Sequence, residues 1–133
     1  MADQPATPVD VVRAWEQAVN ALAVARALEL SHPNVEIVGP RGVAKGRDVL
    51  KDWLSRAGLS LETRRSFARD CAVVNDQHGL WRDIGSGDVV GEAAIASHYK
   101  VENGQVTYVA RYETLDEALA KAGVDIEDAA SQA

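Results

Sequence analysis

The sequence predicts an α+β fold in which N-terminal helices pack against a curved antiparallel sheet. Two observations indicate this fold. Apolar residues recur at helical spacing in the first part of the chain, and between Ser60 and Glu113 the spacing changes to the alternation of strands. Helices followed by a run of strands are typical of α+β proteins. A curved sheet of this kind forms a cone, and its open end is a natural place for a ligand.

The composition is that of one globular domain. A chain of 133 residues is long enough for a single core, so we expect one domain over 1–133, with loose segments at 1–6 and 124–133. A net charge of −6 argues against nucleic acid, which binds basic surfaces. No apolar run approaches the ~20 residues that cross a bilayer, so no membrane partner is expected. The single cysteine, Cys71, fits a reducing cytoplasm.

The first helix is predicted to begin after Thr7. Thr7 is a good N-cap, Pro8 suits the first helical position, and Asp10 favours the positive end of a helix. The apolar stripe of this helix passes through Trp15. The alanine-rich run that follows either continues the helix or begins a second one, and Pro33 stops it.

The remaining elements follow from local signals. A short strand at 35–38 and a turn at 39–42 precede an amphipathic helix at about 47–57, which Gly58 ends. Asn103-Gly104 predicts a tight hairpin turn, because such turns need positive φ. Gly79 marks an expected bulge, and a closing helix runs from Thr114 to Gly123. Four strands fit the second half of the chain, at about 60–69, 71–84, 89–101 and 105–113.

The order of these elements resembles the nuclear-transport-factor-2-like (NTF2-like) superfamily, and within it the SnoaL-like and ketosteroid-isomerase-like branch. The resemblance covers about 9–119. It rests on four segments: VVRAWEQAVN from residue 11, NVEIVGP from residue 34, GRDVLKDWL from residue 46 and HYKVENGQV from residue 98. It implies the NTF2-like or cystatin-like α+β barrel, a pocket for a small hydrophobic or polycyclic ligand, and a homodimer formed through the outer face of the sheet.

Three positions that carry the isomerase chemistry in this family are different here. Trp15 stands in the place of a tyrosine oxyanion donor, Ile37 in that of the catalytic aspartate, and Ser97 in that of a protonated aspartate. Indole and hydroxyl groups can donate a hydrogen bond, but isoleucine cannot move a proton. Ketosteroid isomerisation by that mechanism is therefore not expected.

A set of eight residues is expected to line the ligand pocket. Asn75 interrupts an apolar strand, and a buried amide needs a partner from a ligand or the backbone. Trp53 lines the cone or belongs to the core, where aromatic residues at helical spacing usually lie. The full set is Trp15, Ile37, Trp53, Asn75, Ile95, Ser97, Tyr99 and Val109.

Arg111 and Glu113 are the candidate catalytic pair. By analogy with other branches of the superfamily they face into the cone from the last strand, with Glu113 as a base and Arg111 as its charged partner or an anion clamp. The alternative is a structural ion pair at the mouth of the cone. No two histidines have metal-ligand spacing, so neither a metal nor another cofactor is expected.

The sequence leaves three functions open, because one fold can host several. The first is a SnoaL-like domain that binds a small molecule in an apolar, cone-shaped pocket. The second is an isomerase, cyclase or hydrolase that acts on a steroid-like or polyketide-like substrate through Glu113 and Arg111. The third is a non-catalytic dimerisation module. The missing isomerase groups favour the binding domain over the enzyme. We expect a homodimer from the resemblance, and a cytoplasmic location from the single cysteine.

Overall fold

A computed structural model describes residues 7–39 and 42–129. Its helices are α1 (Pro8–Asn20), α2 (Val24–Glu29), α3 (Arg47–Ala57) and α4 (Leu115–Ala122), followed by a 3-10 turn at Ile126–Asp128. Its strands are β1 (Ser31–Gly39), β2 (Gly42–Lys45), β3 (Leu59–Arg69), β4 (Ala72–Arg82), β5 (Val89–Glu102) and β6 (Gln105–Tyr112). None of the helices in these two ranges is long and apolar enough to cross a lipid bilayer.

The six strands form one curved sheet in the order β2-β1-β6-β5-β4-β3, and the α+β class is confirmed. The sheet is mixed, however. The pairs β1–β2, β3–β4, β4–β5 and β5–β6 are antiparallel, whereas β1 runs parallel to β6 with Ile37 opposite Val109. Parallel strands need a long crossover connection, and here four strands and α3 lie between the two partners.

The start of α1 is capped as predicted. The Thr7 hydroxyl accepts from the Asp10 backbone N–H at 3.1 Å, and the Asp10 carboxylate accepts from the Thr7 N–H at 3.4 Å. Of the two continuations that the sequence allowed, the second is found: Leu22, with a φ of 58°, separates α1 from α2. α1 then packs across β3, β4, β5 and β6, which places it over the middle of the sheet.

The core has two parts, one on each face of the sheet. We call the face covered by α1, α2 and α3 the inner face and the opposite one the outer face. Apolar side chains buried on the inner face include Trp15, Val35, Leu50, Val73 and Tyr99, each at most 1% exposed. On the outer face α4 covers a smaller cluster of Phe67, Val74, Ala96, Ala118, Leu119 and Val124.

Gly79 is not a bulge. It keeps register with Leu61 on β3 and with Ala93 on β5, and the shift in the β3–β4 ladder lies at 63–65 instead. A Cβ atom at Gly79 would lie 3.1 Å from the side chain of Ile95. The glycine therefore permits a close approach between side chains on the inner face.

The described part of the C-terminal tail is folded, which corrects the expectation of a loose segment for 124–129. Val124 is 4% exposed and belongs to the outer core. Ala129 forms a β-bridge with Phe67, and Asp128 pairs with Arg69 at 3.6 Å. These contacts fix the tail against the edge strand β3. The expected loose residues 1–6 and 130–133 lie outside the described residues.

Candidate functional site

A groove of about 200 Å³ opens between α1 and the edge strand β3. Its walls are α1 and β3, and its floor is formed where β3 meets β4. Polar side chains dominate the lining, in contrast to the apolar pocket that the sequence predicts. The lining residues include Glu16, Gln17, Leu61, Thr63, Ser66 and Asn75.

Asn20 fixes one end of this groove. Its side-chain amide pairs with the backbone of Leu61: Nδ2 donates to the Leu61 carbonyl at 2.8 Å, and the Leu61 N–H donates to Oδ1 at 2.7 Å. Because β3 is at the edge of the sheet, these backbone groups have no neighbouring strand to bind. The Asn20 amide takes the place of that strand and ties α1 to β3.

The carboxyl group of Glu16 lies at the floor of the groove, 6% exposed. Four side chains donate hydrogen bonds to it. Thr63 donates to Oε1 at 2.7 Å. Asn75 donates to Oε2 at 2.8 Å, Tyr99 donates to it at 2.7 Å, and the Gln77 amide also binds it. We call these five residues the Glu16 cluster.

Ser97 orients one member of the cluster. Its hydroxyl donates to Oε1 of Gln77 at 2.7 Å, so the Gln77 nitrogen must point towards Glu16. Ser97 lies opposite Asn75 in the β4–β5 ladder. Strand side chains alternate between faces. This alternation brings Asn75 and Gln77 of β4 and Ser97 of β5 to the inner face beneath α1.

The pKa of the Glu16 carboxyl is raised from its usual value, because burial disfavours the charged form and outweighs the hydrogen bonds. Glu16 makes no ion pair with any residue in 7–39 or 42–129. The pKa of the Tyr99 hydroxyl is raised well above its usual value, first by burial and then by the charge of Glu16. Tyr99 therefore stays a donor. A buried carboxyl with a perturbed pKa in a cleft is typical of functional sites.

Two polar groups at the floor lack a partner. Asn75 is 2% exposed, and its Oδ1 accepts no hydrogen bond from the described residues, because its nitrogen is turned to Glu16. Ser66 lies directly opposite Asn75 on β3, and its hydroxyl also makes no hydrogen bond within the described chain. Buried polar groups in native proteins are normally paired, so this floor is suited to a bound molecule that carries donors.

Trp15 lies next to the Glu16 cluster but does not open onto the groove. Its indole N–H donates to the Ser31 hydroxyl at 3.0 Å, and Ser31 donates to the Ala27 carbonyl at 2.8 Å. The Trp15 ring packs edge-on against Tyr99, with centroids 5.5 Å apart. With 1% exposure the indole is part of the core. The N–H that the resemblance places as an oxyanion donor is thus already used within the protein.

The structure does not bring Arg111 and Glu113 together. Arg111 lies opposite Ser97, so its strand position is on the inner face as expected, and its guanidinium lies 5.1 Å from the centre of the Trp81 ring. Strand β6 ends at Tyr112, and Glu113 follows it as an exposed residue before the cap of α4. No ion pair joins the two charged side chains within the described ranges.

The other predicted ligand residues lie in the inner core or beneath the groove. Ser97 and Tyr99 form the layer under Glu16 described above. Asn75 is the member of the predicted set that lines the groove. Packed side chains occupy the inner face around the other predicted residues, and the apolar, cone-shaped pocket stays a prediction. The apolar members of the predicted set on this face are Ile37, Trp53, Ile95 and Val109.

Three members of the Glu16 cluster are absent from the sequence-based predictions. Glu16 lies four residues after the buried Val12, so a carboxylate in the apolar stripe of α1 was a usable signal. Gln77 lies two residues after Asn75 and therefore on the same strand face. Thr63 had no distinguishing signal, because threonine is common at exposed strand positions.

No protein-family model matches this sequence, and no curated protein matches it significantly. Solved structures do match. An NTF2-like protein of unknown function from Cytophaga hutchinsonii has a TM-score of 0.72 and 19% identity, covering 88% of this chain and 97% of that one. A Mycobacterium tuberculosis protein in complex with estradiol-17β-hemisuccinate has a TM-score of 0.70 and 18% identity, with coverages of 84% and 97%.

A third solved structure comes from Catenulispora acidiphila. This protein has a ketosteroid isomerase-like fold and is in complex with trimethylamine; its TM-score is 0.67 at 17% identity, with coverages of 92% and 98%. All three likenesses extend over most of both chains. They agree with the helix-covered, curved six-stranded sheet described above. The protein therefore has the NTF2-like fold.

Proposed function

We propose that the protein is a small-molecule-binding domain of the SnoaL-like type, and that its ligand occupies the groove between α1 and β3. The observation that carries this proposal is the Glu16 carboxyl at the floor of an open groove. It is buried, no described residue supplies a countercharge, and the oxygen of the neighbouring Asn75 has no partner among the described residues. A bound molecule with hydrogen-bond donors would satisfy groups that the protein itself leaves unsatisfied.

The groove limits the size of its ligand. Its volume of about 200 Å³ is below the roughly 300–1,000 Å³ typical of pockets that enclose drug-sized molecules. The groove can therefore hold a single ring or a short chain, and a polycyclic ligand would leave most of its body outside. Val9 and Leu61 supply apolar wall surface above the polar floor. We expect an amphipathic ligand with its polar end towards Glu16.

Known structures of this fold support the class of function. The protein from Mycobacterium tuberculosis binds a steroid hemisuccinate, and the protein from Catenulispora acidiphila binds trimethylamine. Both ligands are small organic molecules. A shared fold does not fix the ligand, so the ligand chemistry of the present chain depends on its own groove.

Catalysis through Arg111 and Glu113 stays an alternative prediction. Its weakness is that the two side chains are separated by the end of β6 and form no pair. Arg111 already lies over the Trp81 ring. The homodimer, predicted from the resemblance, and the cytoplasmic location, predicted from the single cysteine, likewise stay predictions, and the proposed groove needs neither of them.

The binding proposal can be tested by NMR with a panel of small amphipathic molecules. Binding is expected to shift the backbone amide signals of Leu61, Thr63 and Ser66. The variant Gln17→Trp places a large ring at an exposed position of the groove wall, and should weaken binding about tenfold or more. Lys51→Trp, an exposed position on α3 away from the groove, is the matched control and should leave the affinity nearly unchanged.

Two results would contradict the proposal. One is a panel that produces no shifts along β3. The other is a set of shifts centred on Trp53 and Trp81 that Gln17→Trp does not affect. The second result would place the ligand near Trp81 and Arg111 on the inner face, and would support the role predicted for Arg111.

A further inference from the structure

We infer that the groove selects a cationic ligand, a protonated alkyl amine, whose ammonium group binds between Glu16, Ser66 and Asn75. This inference rests on the proposed function and specifies the chemistry of its ligand. It comes from the charges and the open hydrogen-bond positions at the floor of the groove.

The floor carries an acidic group that no described residue neutralises. All four partners of Glu16 are neutral donors. Among the described residues that line the groove, only Arg13 is positively charged, and its side chain is 45% exposed and turned to Asp10 at 3.6 Å. A buried carboxylate without a counter-ion is costly. A cation in the groove would supply the missing countercharge and so favour the charged form of Glu16.

The open hydrogen-bond positions also match an ammonium group. An ammonium has three donors and no acceptor. Within the described chain, Oε1 of Glu16 accepts from Thr63 alone, Oδ1 of Asn75 accepts from no residue, and the Ser66 hydroxyl is unpaired. Oε1 of Glu16 and the Ser66 hydroxyl can thus accept from the ammonium group, and the buried Oδ1 of Asn75, on the residue opposite Ser66, is the third unpaired acceptor. An alcohol brings only one donor, and a carboxylate would face Glu16 with a like charge.

The rest of the groove suits the alkyl part of such a ligand. Val9 and Leu61 form apolar wall surface above the floor, and the groove volume of about 200 Å³ has room for a six-membered ring. The net charge of −6 also favours the approach of a cation over that of an anion. An alkyl ammonium resembles the end of a lysine side chain and stays charged at neutral pH.

Calorimetric titration with three probes of matched shape tests the inference: cyclohexylammonium, cyclohexanol and cyclohexanecarboxylate. The ammonium should bind about tenfold or more tightly than the alcohol, and the carboxylate should bind most weakly. Glu16→Gln should weaken ammonium binding about tenfold while changing alcohol binding little. Glu62→Gln removes the same charge from an exposed position on β3 that does not line the groove, and should leave all three affinities unchanged.

A second variant keeps the test valid if Glu16→Gln disturbs folding. Ser66→Val removes an acceptor from the floor without touching the Glu16 cluster, and should weaken ammonium binding several-fold. Circular dichroism checks that each variant is folded. If the alcohol or the carboxylate binds as tightly as the ammonium and Gln17→Trp blocks that binding, the amine inference is overturned and the proposed function stands. If none of the probes binds and the NMR panel also gives no shifts in the groove, both fail.

Discussion

Two buried titratable side chains, Glu16 and His98, lie on opposite faces of the sheet. They differ in the hydrogen-bond partners that surround them. Glu16 receives hydrogen bonds from four donors, which partly offset the cost of a buried charge. His98 is 3% exposed beside the ring of Tyr108, and neither of its ring nitrogens has a partner in the described residues. A charge on Glu16 is therefore partly compensated by its donors, whereas a charge on the His98 ring would have no hydrogen-bond partner among the described residues.

The setting of His98 predicts a loss of stability in acid. Burial, and secondarily the charge of Lys100, lower its pKa from 6.5 to about 4. Below pH 6.5 the His98 ring binds a proton in the unfolded chain but not in the folded protein. The free energy of unfolding therefore falls as the pH falls from 6.5 towards 4. The loss over this window is about 3 kcal/mol from this group. His98→Leu should remove this part of the pH dependence.

Urea unfolding at a series of pH values, for the wild type and for His98→Leu, measures the difference. The ring-proton NMR signals of His98 give its titration midpoint directly, which should be near 4. Equal losses of stability in both proteins over this window would show that His98 is not the responsible group.

The residues of the candidate site were only partly predictable from the sequence. Asn75 could be identified because an amide interrupts an apolar strand, and the alternation of β5 placed Ser97 and Tyr99 on the inner face correctly. Their common partner could not be identified in the same way. Glu16 comes from α1, far away in sequence, and its contact with the strands depends on how the helix packs across the sheet.

At the scale of elements, signals within a few residues of sequence were sufficient to predict where helices begin and end. The cap at Thr7 and the left-handed glycines Gly58 and Gly123 set helix ends where the sequence predicts them. Two elements were missed: strand β2, which pairs with the preceding strand β1, and the folded tail at 124–129, which depends on distant contacts. The tail looks polar in isolation and is ordered through contacts of Val124 and Ala129 with the outer face and β3.

The link between α1 and β3 predicts a specific effect of Asn20→Ala. This variant leaves the Leu61 N–H and carbonyl at the sheet edge without the Asn20 amide, and should lower the free energy of unfolding by about 1–2 kcal/mol. It should also speed hydrogen exchange of the Leu61 amide. Gln17→Ala, one turn earlier on the same helix and exposed, is the control and should change both quantities little. Equal effects of the two variants would contradict the proposed link.

At the scale of the whole molecule, the homodimer is open to a direct measurement. The resemblance predicts contact through the outer face, but α4 and the tail already cover the part of that face around Phe67 and Ala96. A dimer would have to use the part next to β1 and β6, where Tyr108 and Lys100 lie close together. Light scattering should then give twice the chain mass of 14.3 kDa. The variant Tyr108→Glu should reduce the measured mass to that of a single chain.

A monomeric mass at micromolar concentration would contradict the predicted homodimer. Lys51→Glu on α3, which reverses a charge at an exposed position away from that surface, serves as the control and should not alter the mass. A dimer that persists in Tyr108→Glu would show that the contact lies elsewhere.

The parallel pairing of β1 with β6 also has a consequence for the order of folding. The two strands are nearly at opposite ends of the described chain, and Ile37 reaches its neighbour Val109 only after every other strand has been synthesised. Contacts between such distant residues form slowly, because a long loop must close before they contribute. During translation the β1–β2 hairpin must therefore wait, with one edge unpaired, until the last strand leaves the ribosome and docks between it and β5.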